Sequence, residues 1–80
     1  MDRVQQVAWI RQLAADTFDN SQATYEDYGV HGYGLDTYVQ DLKGEAEAQL
    51  RARPWYSKHD EQVLYAALYK LACPANQVES

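Results

Sequence analysis

The stretch LDTYVQDLKGEAEAQLRARP, residues 35–54, decides the fold, because it holds the clearest helical pattern in the chain. Apolar residues recur in it every three or four positions, which places them on one side of a helix: Leu35, Tyr38, Val39, Leu42, Ala46 and Leu50. Asp36 is a good N-cap, and Pro54 ends the pattern because the residue before a proline disfavours helical backbone. The pattern predicts a helix over residues 36–53. Gly44 lies inside it at a cost of about 1 kcal/mol, which indicates a kink or a close backbone approach.

Two further long helices are predicted, one on each side of this stretch. The first covers residues 2–18, begins at Asp2 as N-cap, and carries an apolar stripe at helical spacing. The second covers residues 58–73. It follows Ser57, which has a carboxylate three positions on in a near capping-box pattern, and a proline stops it after residue 73.

The segment between the first two long helices is less regular. Ser21 is a candidate cap for a short helix near residues 21–29, with Gly29 as its terminating residue. Three glycines in six positions indicate a loop over residues 29–34. The fold class predicted for the chain is therefore all-α: a small compact bundle of three main helices plus a short one, in a single domain. Residues 75–80 are expected to form a frayed tail.

Length and composition restrict the class of protein. The chain has 80 residues, 46% of them hydrophobic, which is enough apolar content for one folded domain rather than a disordered tail. A single cysteine cannot form an intrachain disulfide, which favours a reducing, cytoplasmic location. Charges interrupt the apolar stretch at the N-terminus, so no signal peptide is expected, and no apolar run approaches the length of a membrane span.

The charge of the chain is acidic and unevenly distributed. The net charge is −5, and residues 16–47 hold eight carboxylates against a single lysine. Direct binding to nucleic acid or to an anionic membrane requires a basic surface, so neither is expected. A basic partner protein is the natural target of such a chain.

Catalytic, phosphate and metal sites find little support in the residues. The glycines of residues 29–34 stand in the order G-x-x-G-x-G, without the strand and spacing of a dinucleotide loop. A metal cluster of His31 with Glu26, Asp27 and Asp36 is less favoured than a solvated loop histidine, and His59 is an ordinary polar residue near a helix start. Cys73 is placed at a helix C-terminus, where a thiolate is disfavoured. We expect no enzymatic activity, no cofactor and no metal.

The stretch YEDYGVHGYGLDTY, residues 25–38, is the candidate binding segment. Its four tyrosines lie among glycines and carboxylates, a composition typical of adaptable contact surfaces. With the following helix it predicts a partner-binding set: Tyr25, Glu26, Asp27, Tyr28, Tyr33, Asp36, Tyr38, Asp41 and Glu45. The equally weighted alternative is that two or three of these rings fold back over a thin core.

A non-enzymatic inhibitor is the first function hypothesis. Carboxylates on a small helical scaffold stand where phosphates would lie, and tyrosines stand in for stacked bases, so the target is the nucleic-acid-binding groove of a basic protein. In size, charge and lack of catalytic chemistry the chain resembles the small acidic inhibitors that phages and mobile elements make against restriction or CRISPR systems. This analogy rests on no sequence motif and implies no site residues of its own.

A small structural or regulatory subunit is the alternative. Between residues 63 and 73 only Lys70 is charged, and a helix that is apolar nearly all round is buried on more than one side. Homodimerisation through this helix, with Tyr65 and Tyr69 at the contact, would bury it.

Overall fold

Four helices form the protein in a computed structural model that describes residues 1–21, 25–30, 32 and 34–72. They are α1 (Arg3–Asn20), α2 (Tyr25–Val30), α3 (Leu35–Arg51) and α4 (His59–Ala72), and the described residues contain no strand. The predicted all-α bundle of three main helices and a short one is confirmed. Cys73 and the tail predicted for 75–80 lie outside the described residues.

Helix α1 begins with the cap that the sequence predicts. The Asp2 carboxylate accepts a hydrogen bond from the Gln5 N–H at 2.8 Å, and the Gln5 side chain accepts one from the Asp2 N–H at 3.1 Å. This reciprocal capping box satisfies two donors that a helix start otherwise leaves open. Ser21 is the C-cap of α1, since its N–H donates to the Phe18 carbonyl, and its predicted role as cap of the short helix depends on residues 22–24, which lie outside the described residues.

The start of α3 differs from the prediction. Asp36 is not the N-cap: the helix begins at Leu35, and Gly34 is the cap residue, with no side-chain hydrogen bond. Because Leu35 packs against the core, the first turn begins before Asp36, which lies inside that turn. A carboxylate there still interacts favourably with the positive end of the helix dipole.

The glycines also differ in role from the prediction. Gly29 lies inside α2, which continues to Val30, so the loop begins later than residue 29. Among the described residues, the one with left-handed backbone is Gly32, at φ +82°, and its N–H donates to the Gly29 carbonyl at 3.0 Å. At Gly44 an added Cβ would meet no atom within 4 Å, so no neighbouring backbone approaches it.

Helices α1, α3 and α4 pack against one another in all three pairs, and α2 packs on α3. Contacts fix the directions. Tyr65 of α4 reaches Asp36 at the start of α3, and Lys43 of α3 reaches Glu61 at the start of α4, so α3 and α4 are antiparallel. The buried apolar core draws on these three helices: Ile10, Leu13, Ala14, Tyr38, Val39, Leu42, Ala46, Leu50, Leu64, Leu68 and Ala72.

An aromatic contact closes the end of the bundle where α3 turns into α4. The rings of Trp9 and Trp55 meet edge to face at 5.6 Å, and the Arg53 guanidinium lies 5.3 Å from the Trp9 ring. Such a pair adds about 0.5–1.5 kcal/mol beyond its area burial.

None of the described helices combines the length and the apolar character needed to cross a bilayer.

Candidate protein-binding surface

Tyr28 attaches the short helix α2 to α3. Its ring meets the Tyr38 ring at 5.1 Å and an interplanar angle of 62°, and its hydroxyl donates a hydrogen bond to the Asp41 carboxylate. Tyr38 is only 3% exposed. One buried ring and one carboxylate of α3 thus hold the tyrosine of α2 in place.

Three carboxylates surround this tyrosine pair. The hydrogen bond to Asp41 raises the pKa of Tyr28 to about 12, with further contributions from burial and from the charges of Asp41 and Glu45. Burial, then the charges of Glu45 and Asp27, raise the pKa of Tyr38. Tyr28 therefore stays protonated at neutral pH and remains a hydrogen-bond donor. We call Asp27, Tyr28, Asp41 and Glu45 the acidic face.

On the other flank of α3, carboxylates form ion pairs with lysine and arginine side chains of the same chain, and we call this group the polar seam. Glu61 of α4 accepts hydrogen bonds from Lys43 at 3.3 Å, from Arg51 at 3.0 Å and from the Tyr56 hydroxyl. Glu47 contacts the same two cations, Lys43 at 3.5 Å and Arg51 at 3.0 Å. The hydrogen bond from Tyr56, with those from Arg51 and Lys43, lowers the pKa of Glu61 to about 2 despite the opposing effect of burial.

The two α3 carboxylates of the acidic face are not neutralised in this way. The guanidinium of Arg3 is paired elsewhere, with the Asp60 carboxylate at 2.6 Å, at the start of α4. In the part of the chain that the structure describes, Asp41 and Glu45 make no ion pair with a lysine or an arginine. Both are exposed. The negative charge of Asp41 and Glu45 is therefore open to a partner.

Tyr38 does not belong to the contact surface that the sequence predicts. Its ring lies in the core, because the position is part of the apolar stripe of α3, so almost none of its surface is accessible. The alternative was that two or three of these rings cover the core; Tyr38 is buried in the core, and Tyr28 packs partly buried against it.

Asp36 is also separated from Asp41 and Glu45, the two carboxylates of α3 in the acidic face. It stands five positions before Asp41, which places the two about 140° apart around the helix. Asp36 lies beside α4, where it accepts a hydrogen bond from the Tyr65 hydroxyl at 3.4 Å. The predicted acidic surface therefore divides between two flanks of α3, and Asp41 and Glu45 lie on the flank toward α2 without Asp36.

Three residues of the predicted set remain. Glu26 is exposed on α2 next to Asp27. Tyr33 lies outside the described residues, and so does the side chain of Tyr25. Their roles as contacts stay predictions.

The two tyrosines predicted for self-association pack within their own chain. The rings of Tyr65 and Tyr69 lie 6.0 Å apart, and both are half-buried against the core. Burial, then the Asp36 carboxylate, raises the pKa of Tyr65. Homodimerisation through these rings stays a prediction.

The described residues contain no group of three or more His, Cys, Asp or Glu side chains that could hold a metal ion. His59 is exposed at the first residue of α4, while His31 lies outside the described residues.

In comparisons with known proteins, no family model, no curated protein and no solved structure matches the chain. Its function has to be argued from its own residues.

Proposed function

We propose that the chain is a non-enzymatic binding protein whose acidic face contacts a basic partner protein of the nucleic-acid-handling kind. The observation that carries this proposal is the separation of charge. Lys43, Arg51 and Arg3 are engaged by carboxylates of the seam and of α4. Asp41 and Glu45, beside Tyr28, have no such ion pair in the described residues.

The geometry of the face suits electrostatic recognition. Asp41 and Glu45 are one helical turn apart, so their carboxylates project from the same side of a rigid helix about 6 Å apart along its axis. The ring of Tyr28 lies beside them and is held by Tyr38. Charges fixed on a rigid scaffold increase the rate of encounter with a basic groove, and an amphipathic ring adds contact area at low entropic cost.

An inhibitor occupying a nucleic-acid groove is the form of this function that we favour. The carboxylates would take positions of phosphates and Tyr28 that of a stacked base. Inhibition of a restriction or CRISPR complex is one such case, supported by the size and acidity of the chain alone.

The test is capture from the native host followed by measurement with the purified partner. Wild type, Asp41→Asn/Glu45→Gln and the control Asp16→Asn/Asp36→Asn would be immobilised in parallel, since both double variants remove two negative charges. All four positions are exposed, so both variants should fold. The proposal expects a basic protein that the first variant loses and the control retains.

The purified partner then supplies the decisive measurement. Its association rate should fall at least about tenfold from low to high salt, as electrostatically steered rates do. Duplex DNA or RNA should compete with the chain for it. A partner that the two double variants bind equally well, or one that nucleic acid does not displace, would contradict the proposal.

A further inference from the structure

A second surface of different character lies between α1 and α4. This shallow groove is lined by Arg11, Ala15, Val63, Ala66, Ala67, Lys70 and Leu71. Both helices pack on α3, and no residue of α3 lines the groove. The groove therefore opens on the side of the bundle away from α3, and thus away from the acidic face.

The exposed large hydrophobic side chains of the chain support this surface. In the described part of the chain they are Met1, Val4 and Leu71. Leu71 is 43% exposed and lines the groove, while Val4 is 79% exposed. Val4 precedes Ala8, Arg11 and Ala15 at spacings of four, three and four, which places all of them on one side of α1. The apolar strip of the groove therefore continues along α1 toward its first turn.

The charge of the groove indicates what covers it. Arg11 and Lys70 are its charged lining residues, and among the described residues no carboxylate lines it, although the whole chain has a net charge of −5. Arg11 makes no ion pair with any described carboxylate. An occupant of complementary chemistry has an apolar side and negative charge.

We propose that this groove binds an amphipathic helix of a partner protein, with carboxylates flanking the apolar stripe of that helix. The alanines at positions 15, 66 and 67 leave room for a close approach, since the distance between packed helix axes depends on the side chains at the contact. Large apolar side chains of the incoming helix would fill the space above these alanines. Its carboxylates would lie over Arg11, which lines the groove and makes no ion pair with a described carboxylate.

Other occupants fit the groove less well. A second copy packed through the same groove would bring Arg11 and Lys70 close to their own counterparts, and like charges across an interface are costly. An anionic lipid surface would attract the two cations, but the net negative charge of the whole chain repels it. The proposal does not depend on the acidic face; if both hold, the chain bridges two proteins of opposite charge.

The test uses two labelled synthetic peptides, each about 18 residues long so that a helix can form. One carries leucines at helical spacing flanked by glutamates, and the other has lysines in place of the glutamates. Fluorescence anisotropy with the full chain measures both affinities. Ala66→Glu introduces a carboxylate into the groove, and Ala48→Glu, at an exposed alanine of α3, is the charge-matched control.

Preferential binding of the acidic peptide is expected, with about a tenfold loss in Ala66→Glu, as for a like-charge contact, and no loss in Ala48→Glu. Equal binding of both peptides, no binding of either, or no effect of Ala66→Glu would overturn the proposal. So would a dimer in sedimentation equilibrium that Ala66→Glu dissociates, because a second copy would then be the occupant. Groove-dependent binding to vesicles containing phosphatidylserine, without peptide binding, would overturn it in favour of a lipid surface.

Discussion

The guanidinium of Arg3 lies 2.6 Å from the carboxylate of Asp60, a side chain with no exposed surface. This contact joins the first turn of α1 to the first turn of α4 across 57 positions of sequence. The second oxygen of Asp60 accepts the Ser57 N–H at 3.1 Å. Burial alone would raise the pKa of Asp60, but the hydrogen bonds from Arg3 and Ser57 outweigh it and lower that pKa.

Removal of the Arg3 side chain should therefore destabilise the protein. In Arg3→Ala the buried carboxylate loses its cation and keeps only the Ser57 N–H, which should lower the free energy of unfolding by about 1–3 kcal/mol. Urea denaturation measures this change. Arg11→Ala removes the same charge from an exposed position of the same helix and is the control. Equal losses in the two variants would show that the contact with Asp60 adds no stability.

Stability should also depend on pH through Glu61. Its pKa in the folded protein, about 2, lies below the ordinary value of 4.5, so the folded state binds this proton more weakly than the unfolded state. The stabilisation is complete above 4.5 and is lost as pH falls from 4.5 toward 2. Urea midpoints measured across this range should fall for wild type and change less for Glu61→Gln. Glu45→Gln, at an exposed carboxylate without an ion pair in the described residues, should retain the wild-type profile, and a Glu61→Gln profile parallel to wild type would contradict the assignment.

Tyr38 and Tyr28 should differ sharply in their contribution to stability. Tyr38→Ala empties a core position and should cost about 3–5 kcal/mol, in the range of large aromatic truncations. Tyr28→Ala removes a half-exposed ring and should cost roughly 1 kcal/mol. Chemical denaturation of both variants, with far-ultraviolet circular dichroism to confirm folding, tests the difference. Similar losses would mean that Tyr38 is not the core residue that its 3% exposure indicates.

Tyr38 also shows what sequence reasoning achieves here. It belongs to two patterns, the apolar stripe of α3 and the tyrosine-rich stretch before it. The apolar stripe was the better predictor of where Tyr38 lies, because helix geometry fixes which positions face the core. Enrichment in tyrosine does not indicate which way any one ring points. The same periodicity predicted the rest of the buried face of α3, from Val39 to Leu50.

Contacts between side chains of different helices could not be predicted from the sequence. Nothing in the spacing shows that Tyr28 donates to Asp41, thirteen positions on, because that depends on how α2 lies on α3. The division of Asp36 from Asp41 was foreseeable from the helical repeat, since five positions amount to about 140°. One wall of the groove between α1 and α4 could be read from the sequence, because four residues from Val4 to Ala15 recur at helical spacing. That α4 forms the other wall follows only from the packing.

Gly44 offers a way to stabilise the chain without altering either proposed surface. It lies in the interior of α3, is exposed, and has open space where a Cβ would be, so Gly44→Ala adds helix propensity without a clash. The expected gain in the free energy of unfolding is about 1 kcal/mol. Thermal and urea denaturation measure it.

Gly32→Ala is the matched comparison for Gly44→Ala. At φ +82° the left-handed backbone strains any residue with a side chain, so this substitution should destabilise the protein by roughly 1 kcal/mol although space is equally open there. Opposite signs for the two substitutions are the expected outcome, and a loss of stability in Gly44→Ala would show that the helix needs glycine at this position. Because position 44 carries none of the acidic-face side chains, Gly44→Ala should bind a captured partner as wild type does. It is therefore the background in which Asp41→Asn/Glu45→Gln can be tested with the least risk of unfolding.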